Sequence, residues 1–284
     1  MPLTKAKYIL AHADENKYGV LSVNTFNYET VKWVVTAAEL ENVPVMVQFY
    51  PGLDSYIPKE IIVRAAVILA ERAAVPVAVH LDHSVSYEIA LSGIKCGFPS
   101  VMVDGSALPY EQNVGLTFAV VRAARVFGVD VEAELGHVGS GADADMFTNR
   151  DFFTDPEQAR DFTARTGCGS LAVAVGNAHG AYVQTPVLDF KRIEALRKAA
   201  GVPLVLHGCS DIPDWQIREA VKLGVAKFNI ATEYFRAIGG ALAERAAAGA
   251  GGDALALISG ARERAVGFLR EKIRLVNPNG ATIS

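Results

Sequence analysis

The stretch Val77-Ala78-Val79-His80-Leu81-Asp82-His83 begins as an unbroken apolar run, the pattern of a strand buried on both faces. It ends in a carboxylate beside an imidazole. In α/β proteins the groups that do chemistry gather at the carboxyl ends of such strands, where the loops leave an open mouth. Asp82 is therefore read as a proton-transfer group and His83 as a metal ligand. The remaining chain has to supply further ligands, an anion site and a scaffold that brings them together.

Seven more runs have the same character: Val20–Asn24, Val45–Phe49, Ser100–Val103, Asp130–Glu134, Ser170–Val175, Pro203–Leu206 and Ala226–Ile230. Each is short, rich in Val, Leu or Ile, and without strict polar alternation, as in a parallel sheet covered by helices. Helical segments lie between them. Tyr28–Glu41 follows Asn27 as a cap, Pro58–Ala74 opens on proline, and Asp155-Pro156-Glu157 precedes Gln158–Thr166. Asp211-Ile212-Pro213-Asp214 introduces a helix near Trp215–Leu223. Gly97, Gly128, Gly167, Gly201 and Gly224 are placed to end helices with a positive φ. Eight strand-then-helix units predict an α/β fold of the (β/α)8, or TIM-barrel, kind. An open doubly wound sheet is disfavoured, because no G-x-G-x-x-G turn follows an early strand.

No composition break divides the chain, so residues 1–284 read as one barrel with a C-terminal helical extension. The extension is a last helix near Ser259–Leu275, after a flexible loop at Gly249–Asp253. The irregular segment Gly136–Asp155 is long for a compact domain and reads as a lid.

Hydrophobic residues make up 51% of the 284 and charged residues 20%, which suits a large core and disfavours disorder. A net charge of −4 argues against nucleic acid as the main partner. Three cysteines without CxxC spacing fit a reducing compartment. Met1–Leu10 has no long apolar core, and no run approaches a membrane span. The expectation is a cytoplasmic protein that engages neither membrane nor nucleic acid.

A barrel makes a specific demand: polar residues should collect at the carboxyl ends of its strands. They do, as Asn24, Gln48, Asp82-His83, Asp104, Glu134, Asn177 with His179-Gly180, His207-Gly208, and Asn229 with Thr232. A single histidine at a strand end is as readily a surface or core residue. His83, His179 and His207 at the same end of three strands form a typical set for a catalytic Zn²⁺ with an open fourth position. His12, His80 and His137 lie elsewhere. Asp82 and His83 are neighbours, so in a regular strand they would point to opposite faces; both can serve one site only if the strand ends and twists there. Asp104 and Glu134 could bind a second cation, orient ligands, or form a buried ion-pair network. Gly180, the run Gly208-Cys209-Ser210 and the run Asn229-Ile230-Ala231-Thr232 follow strands six, seven and eight, where this barrel usually cradles phosphate. Asn24 joins them as a substrate-binding candidate.

Six blocks in order, HLDH, SVMVDGS, VEAELGHVG, AVAVGNAHGAY, LVLHGCSDIP and KFNIATE, resemble the class II, metal-dependent ketose-bisphosphate aldolases of the fructose and tagatose branch. The resemblance runs from about Tyr8 to Leu275. It implies Zn²⁺ on His83, His179 and His207, and Asp82 as the acid/base at the oxygen on the cleaved carbon–carbon bond. It implies Asp104 and Glu134 near a second cation in some members. It implies Gly180, Gly208 to Ser210 and Asn229 to Thr232 at the phosphate of dihydroxyacetone phosphate. A phosphorylated sugar substrate and a homodimer or homotetramer are implied too. Several positions depart from the family. Tyr50 stands where serine is common, Ser84 replaces a glycine, and Cys209 and Asp211 alter an HGGSG block. Ala231 stands where fructose-type members carry aspartate, and Phe235 where a basic residue is often found. The lid reads Gly139-Ser140-Gly141-Ala142-Asp143-Ala144-Asp145 without the family's glutamate.

The chemistry is coherent. Cleaving a bond next to a carbonyl leaves an ene-diolate, which a Lewis acid can stabilise without a lysine imine. The expected activity is reversible cleavage of a fructose or tagatose 1,6-bisphosphate-like ketose to dihydroxyacetone phosphate and an aldehyde. The alternatives are a relative acting on a ketose monophosphate or non-bisphosphate sugar, as aldolase or epimerase, a metal-assisted hydrolase, and a non-catalytic sugar-phosphate sensor.

Overall fold

The structure is a computed structural model that describes residues 2–143 and 149–283. Among these, eight strands pair in sequence order into a closed parallel barrel. They are β1 (Val20–Asn24), β2 (Val45–Phe49), β3 (Val77–Ser84), β4 (Ser100–Val103), β5 (Asp130–Leu135), β6 (Ser170–Val173), β7 (Leu204–Leu206) and β8 (Val225–Ile230). The ring closes where Val20 of β1 lies opposite Lys227 of β8. Strand positions follow the sequence expectation closely. The largest change is in β3, which runs to Ser84 because Ser84 pairs with Val103 beyond an irregularity.

Helices return the chain between strands: α2 (Tyr28–Glu41), α3 (Lys59–Arg72), α4 (Tyr87–Cys96), α5 (Tyr110–Phe127), α6 (Pro156–Thr166), α7 (Phe190–Ala199) and α8 (Asp214–Lys222). Two of the four start signals act as the sequence implied, whereas Pro58 and Pro213 each stand one residue before their helix without a side-chain cap. Asn27 and Thr30 form a reciprocal capping box on α2, and Asp155 caps α6 through two backbone N–H groups. All five helix-ending glycines take positive φ, from 65° to 102°. After β8 come α9 (Thr232–Arg245) and α10 (Ala254–Val276), which packs against α9 and α2. α1 (Ala6–Asn16), which precedes the first strand, had no counterpart among the expected elements. It sets Ile9, Leu10 and Ala13 against Val20, Met46, Ala78 and Ala226, sealing the amino-terminal end of the barrel.

Side chains of a strand alternate between two faces. One set, including Val23, Val47, Val79, Leu81, Val101 and Ala133, packs outward in the main apolar core beneath the helices. The other set faces the barrel axis and is polar in its upper half: Ser22, Gln48, His80, Asp82, Glu132, Glu134, Lys227 and Asn229 are all buried. The outward core makes the strands read as apolar, and the inward set gathers the buried polar side chains.

The C-terminal helix is tied to the barrel's helical layer at Glu41. Its carboxylate accepts from Arg270 Nε at 2.6 Å and from Arg274 Nε and Nη2 at 2.7 and 2.8 Å. These hydrogen bonds, Arg274's first, hold the Glu41 carboxyl below the usual range. Glu41→Gln should lower unfolding stability by about 1 kcal/mol, the scale of a partly exposed ion-pair network. Urea denaturation checks this, and an unchanged midpoint would mean that α10 is held by its apolar face alone.

Candidate active site

The end of β3 departs from regular strand geometry. Leu81 pairs with Val101 and Ser84 with Val103, so three steps along β3 span two along β4. One extra residue is accommodated, and His83 takes a φ of 39°. A left-handed conformation at a non-glycine residue costs about 1–2 kcal/mol. The bulge turns His83 to the mouth that Asp82 already faces, with His83 Nε2 3.9 Å from Asp82 Oδ1. The adjacent pair thus serves one site. Asp104 offsets the strain by accepting from His83 Nδ1 at 2.8 Å. Its other oxygen accepts from the Ser106 amide and hydroxyl at 3.1 and 2.7 Å.

The three imidazoles meet over the barrel axis. His207 Nδ1 lies 3.0 Å from His83 Nε2, and the His179 ring is 4.8 Å from that of His83 between centroids. Ligand atoms of His83, Glu134, His179 and His207 all fall within 4.8 Å of one another. This is the one such group among the described residues. Glu134 therefore stands with the histidines, and Asp104 stands behind His83.

The donor set fits a cation. His179 Nε2 and Glu134 Oε2 are buried without a hydrogen-bond partner. Two buried orphan acceptors in one cluster would be costly unless a cation or proton joins them. The second nitrogens of the other two rings are anchored on carboxylates. His83 Nδ1 bonds Asp104, and His207 Nε2 lies 3.0 Å from Glu132 Oε1. A carboxylate only accepts, so each anchored nitrogen carries the proton and the opposite nitrogen faces the cluster. His179 is held by backbone: its N–H donates to Gly139 O at 2.8 Å, and Gly141 N–H donates to its carbonyl at 2.7 Å. The glycine-rich start of the expected lid thus fixes a candidate ligand. Asp145 lies outside the described residues.

Asp82, only 2% exposed, sits in a cage of amides. Asn24 Nδ2 and Gln48 Nε2 donate to Oδ2 at 3.0 and 3.1 Å, and Asn229 Nδ2 lies 3.5 Å from Oδ1. Burial alone would raise its pKa, but the positive charges of His83 and Lys227 and the bond from Asn24 outweigh it, so Asp82 is held ionised. Glu134 behaves oppositely. Burial, reinforced by the Asp104 charge, pushes it up to about 8. His83 reaches about 10: burial pulls it down, but Asp82, Asp104 and Glu134 together pull harder upward. Burial, helped by the His83 charge, lowers His179 to about 4 and keeps His207 neutral.

The phosphate candidates divide. Asn24, Gly180 and Ala231 line a cavity of about 460 Å³ with Asp82, His83 and His179. Gly208 takes a φ of 62°, and a Cβ there would come within 1.9 Å of Ala178 O. Only glycine fits that turn. Ser210 Oγ accepts from Glu233 N–H at 3.3 Å, in the first turn of α9, which begins at Thr232. Cys209 is buried, with its amide donating to Asn229 O at 3.0 Å and its thiol bonded to Leu206 O. Ile230 is buried in β8. Neither presents a side chain to the cavity lining.

Sequence reasoning passed over Glu132 and Lys227 as site residues and left Gln48 without a role. Lys227 Nζ donates to both oxygens of Glu132 at 3.0 and 2.8 Å, directly beneath His207. Their signal was spacing: Glu132 lies two residues before Glu134 and Lys227 two before Asn229, hence on the same inward face. His80 faces the same interior, bonded to Ser100 Oγ at 2.8 Å, and burial keeps it neutral.

Fold and site together define a barrel enzyme whose ligand cluster and acid/base candidate share one mouth. Residues 4–281 match the family model described as Fructose-bisphosphate aldolase class-II. The chain belongs to that family and is a lyase of the aldolase type. It is 37% identical to the YdjI aldolase from Escherichia coli K12, over 96% of this chain and 97% of that one, with a TM-score of 0.86. A Coccidioides immitis protein provisionally assigned as a fructose-1,6-bisphosphate aldolase is 28% identical, over 96% of both chains, with a TM-score of 0.84. The Campylobacter jejuni fructose-bisphosphate aldolase shares the fold at 21% identity, with 96% and 95% coverage and a TM-score of 0.83. The family acts on phosphorylated sugars. No helix among the described residues is long and apolar enough to cross a membrane.

These charge states set the pH dependence of cation uptake. In the cation-free protein at pH 7, His83 (about 10) and Glu134 (about 8) hold protons, whereas His179 and His207 do not. A cation has to displace the first two. Uptake at pH 7 should release roughly two protons, and affinity should climb as pH rises toward 10. Calorimetry of Zn²⁺ binding in buffers of different ionisation enthalpy measures the count; zero release would contradict the protonated His83–Glu134 state.

Proposed function

We propose that the protein is a zinc-dependent aldolase that reversibly cleaves a phosphorylated ketose to dihydroxyacetone phosphate and an aldehyde, residues 1–284 acting as one barrel unit. The observation that carries this reading is the convergence, at one mouth, of an ionised buried carboxylate and a four-residue ligand cluster. His83 Nε2, His207 Nδ1, His179 and Glu134 would hold the metal, with Asp104 and Glu132 fixing two of the rings from behind. A divalent cation there supplies Lewis acidity to the oxygens next to the cleaved bond.

The chain's own residues do the rest. In cleavage, Asp82 takes the proton from the hydroxyl on the carbon that becomes the aldehyde, and in condensation it returns that proton to the aldehyde oxygen. Its position allows this because Asn24 and Gln48 hold Oδ2 from two neighbouring strands, which fixes the carboxylate's direction. Gly180, Gly208 and Ser210, with the start of α9 at Thr232, receive the phosphate of dihydroxyacetone phosphate through backbone N–H groups. Val138, at 6% exposed, forms one side of the mouth, and Gly139 and Gly141 hold the His179 backbone beside it.

The test is Asp82→Ala in the zinc-loaded enzyme. It should retain zinc yet lose turnover by roughly 10²-fold or more. Near-normal turnover would remove Asp82 from the proton transfer. In the same assay EDTA should abolish wild-type activity and zinc restore it; activity in full chelator, or trapping by borohydride, would point to imine chemistry instead.

A further inference from the structure

The walls of the catalytic cavity are unlike its floor. Beside the polar groups that would do the chemistry, the lining consists of Tyr50, Leu53, Val85, Val138 and Phe235. Tyr50 is placed over the mouth by Gly52, where a Cβ would meet the Tyr50 ring at 2.3 Å, and its ring meets that of His83 edge-on at 6.3 Å. Phe235 is steadied by Phe26 at 5.0 Å between ring centroids, and Phe26 in turn by Tyr56 at 6.1 Å. The wall thus continues outward as an aromatic row. Tyr50 and Val85 are 46% and 62% exposed, large apolar groups left in water at the rim of a binding cavity.

Among the described residues, no lysine or arginine lines this cavity. Its charged groups, Asp82, His83 and Asp104, all belong to the candidate metal and proton-transfer site on its floor. Three basic residues of the segments around the wall are already engaged. Arg236 pairs with Asp211, Lys59 with Asp54 at 2.6 Å, and Lys272 with Glu233 at 2.8 Å. A phosphate dianion carried by the aldehyde half, beyond the metal site, would lie against the apolar wall with no lysine or arginine to compensate it.

We propose that the aldehyde partner of this aldolase carries no phosphate and presents an alkyl or aromatic group to the wall of Tyr50, Leu53, Val85 and Phe235. The sugar cleaved is then a ketose 1-phosphate with an apolar far end. This rests on the aldolase reading above and narrows its substrate from a 1,6-bisphosphate to a monophosphate. The condensation balances without a co-reactant. C3 of dihydroxyacetone phosphate loses a proton and bonds to the aldehyde carbon, and the aldehyde oxygen gains a proton.

The experiment uses the full-length zinc-loaded enzyme with dihydroxyacetone phosphate and four aldehydes: D-glyceraldehyde 3-phosphate, D-glyceraldehyde, butanal and phenylacetaldehyde. It reads kcat/KM from the consumption of dihydroxyacetone phosphate. Butanal or phenylacetaldehyde should exceed D-glyceraldehyde 3-phosphate by about tenfold or more, the scale of a few apolar contacts. D-glyceraldehyde 3-phosphate equal to or above the apolar aldehydes would overturn the proposal while leaving the aldolase reading intact. Exchange of the C3 proton of dihydroxyacetone phosphate with solvent, measured without any aldehyde, separates the two readings. Absence of both exchange and condensation would overturn the aldolase reading and this proposal with it. Phe235→Arg should shift the ratio about tenfold toward D-glyceraldehyde 3-phosphate. An unmoved ratio in a folded variant would overturn the assignment of the wall to the aldehyde.

Discussion

A carboxylate, an ammonium and an imidazole share the middle of this barrel, and the arrangement above them depends on their mutual satisfaction. Glu132, Lys227 and His207 are essentially without exposure to solvent. A charge at that depth is tolerated only when paired and hydrogen-bonded, since removing one partner of a buried pair costs about 3–5 kcal/mol. Glu132 meets the requirement with one oxygen shared between Lys227 and His207, and the other turned to Lys227 and, at 3.4 Å, to Ser170. The consequence is directional. Because Glu132 claims Nε2 of His207, Nδ1 is left to face His83 and the rest of the cluster. The ion pair in the barrel thus sets the tautomer of a candidate ligand one layer above it.

The end of β3 performs a similar service at a different cost. A regular strand would send Asp82 and His83 to opposite faces. One extra residue, taken up at a positive φ, brings both to the mouth, and the bond from His83 to Asp104 offsets the strain. The interior then separates by height. Apolar residues close the amino-terminal end against α1, charged and amide groups occupy the middle, and the ligands and Asp82 lie at the top. Over them stands the Tyr50–Phe235 wall, so a polar reaction centre opens into an apolar entrance. Such a division lets one half of a substrate be held by charge and hydrogen bonds and the other by contact area.

Much of this was legible in the chain. The eight apolar runs, the caps Asn27 and Asp155 and the glycines after helices follow from backbone preference and burial pattern, both of which act locally. The polar residues at the strand ends were legible too, because the barrel rule converts a position in sequence into a position in space. Less visible were the residues that act through others. Gln48 is one polar residue in an apolar strand, and its bond to Asp82 exists only because β2 and β3 are neighbours in a particular register. Lys227 and Glu132 are 95 residues apart, and nothing in either neighbourhood announces the other. α1 was missed because it seals an end of the barrel rather than following a strand, a role with no signature of its own.

The sequence by itself determined the architecture and the inventory: eight parallel strands, the family, and the identity of the residues offered at the mouth. These rest on periodicity, capping and motif order, which are properties of short stretches. The tertiary structure decided how that inventory is used. It set Glu134 among the histidines and Asp104 behind His83, withdrew Cys209 and Ile230 into the interior, tied Arg236 to Asp211, and left the cavity wall apolar. Those outcomes depend on distances across the barrel and on which charges find partners. Such contacts are fixed only when the ring closes.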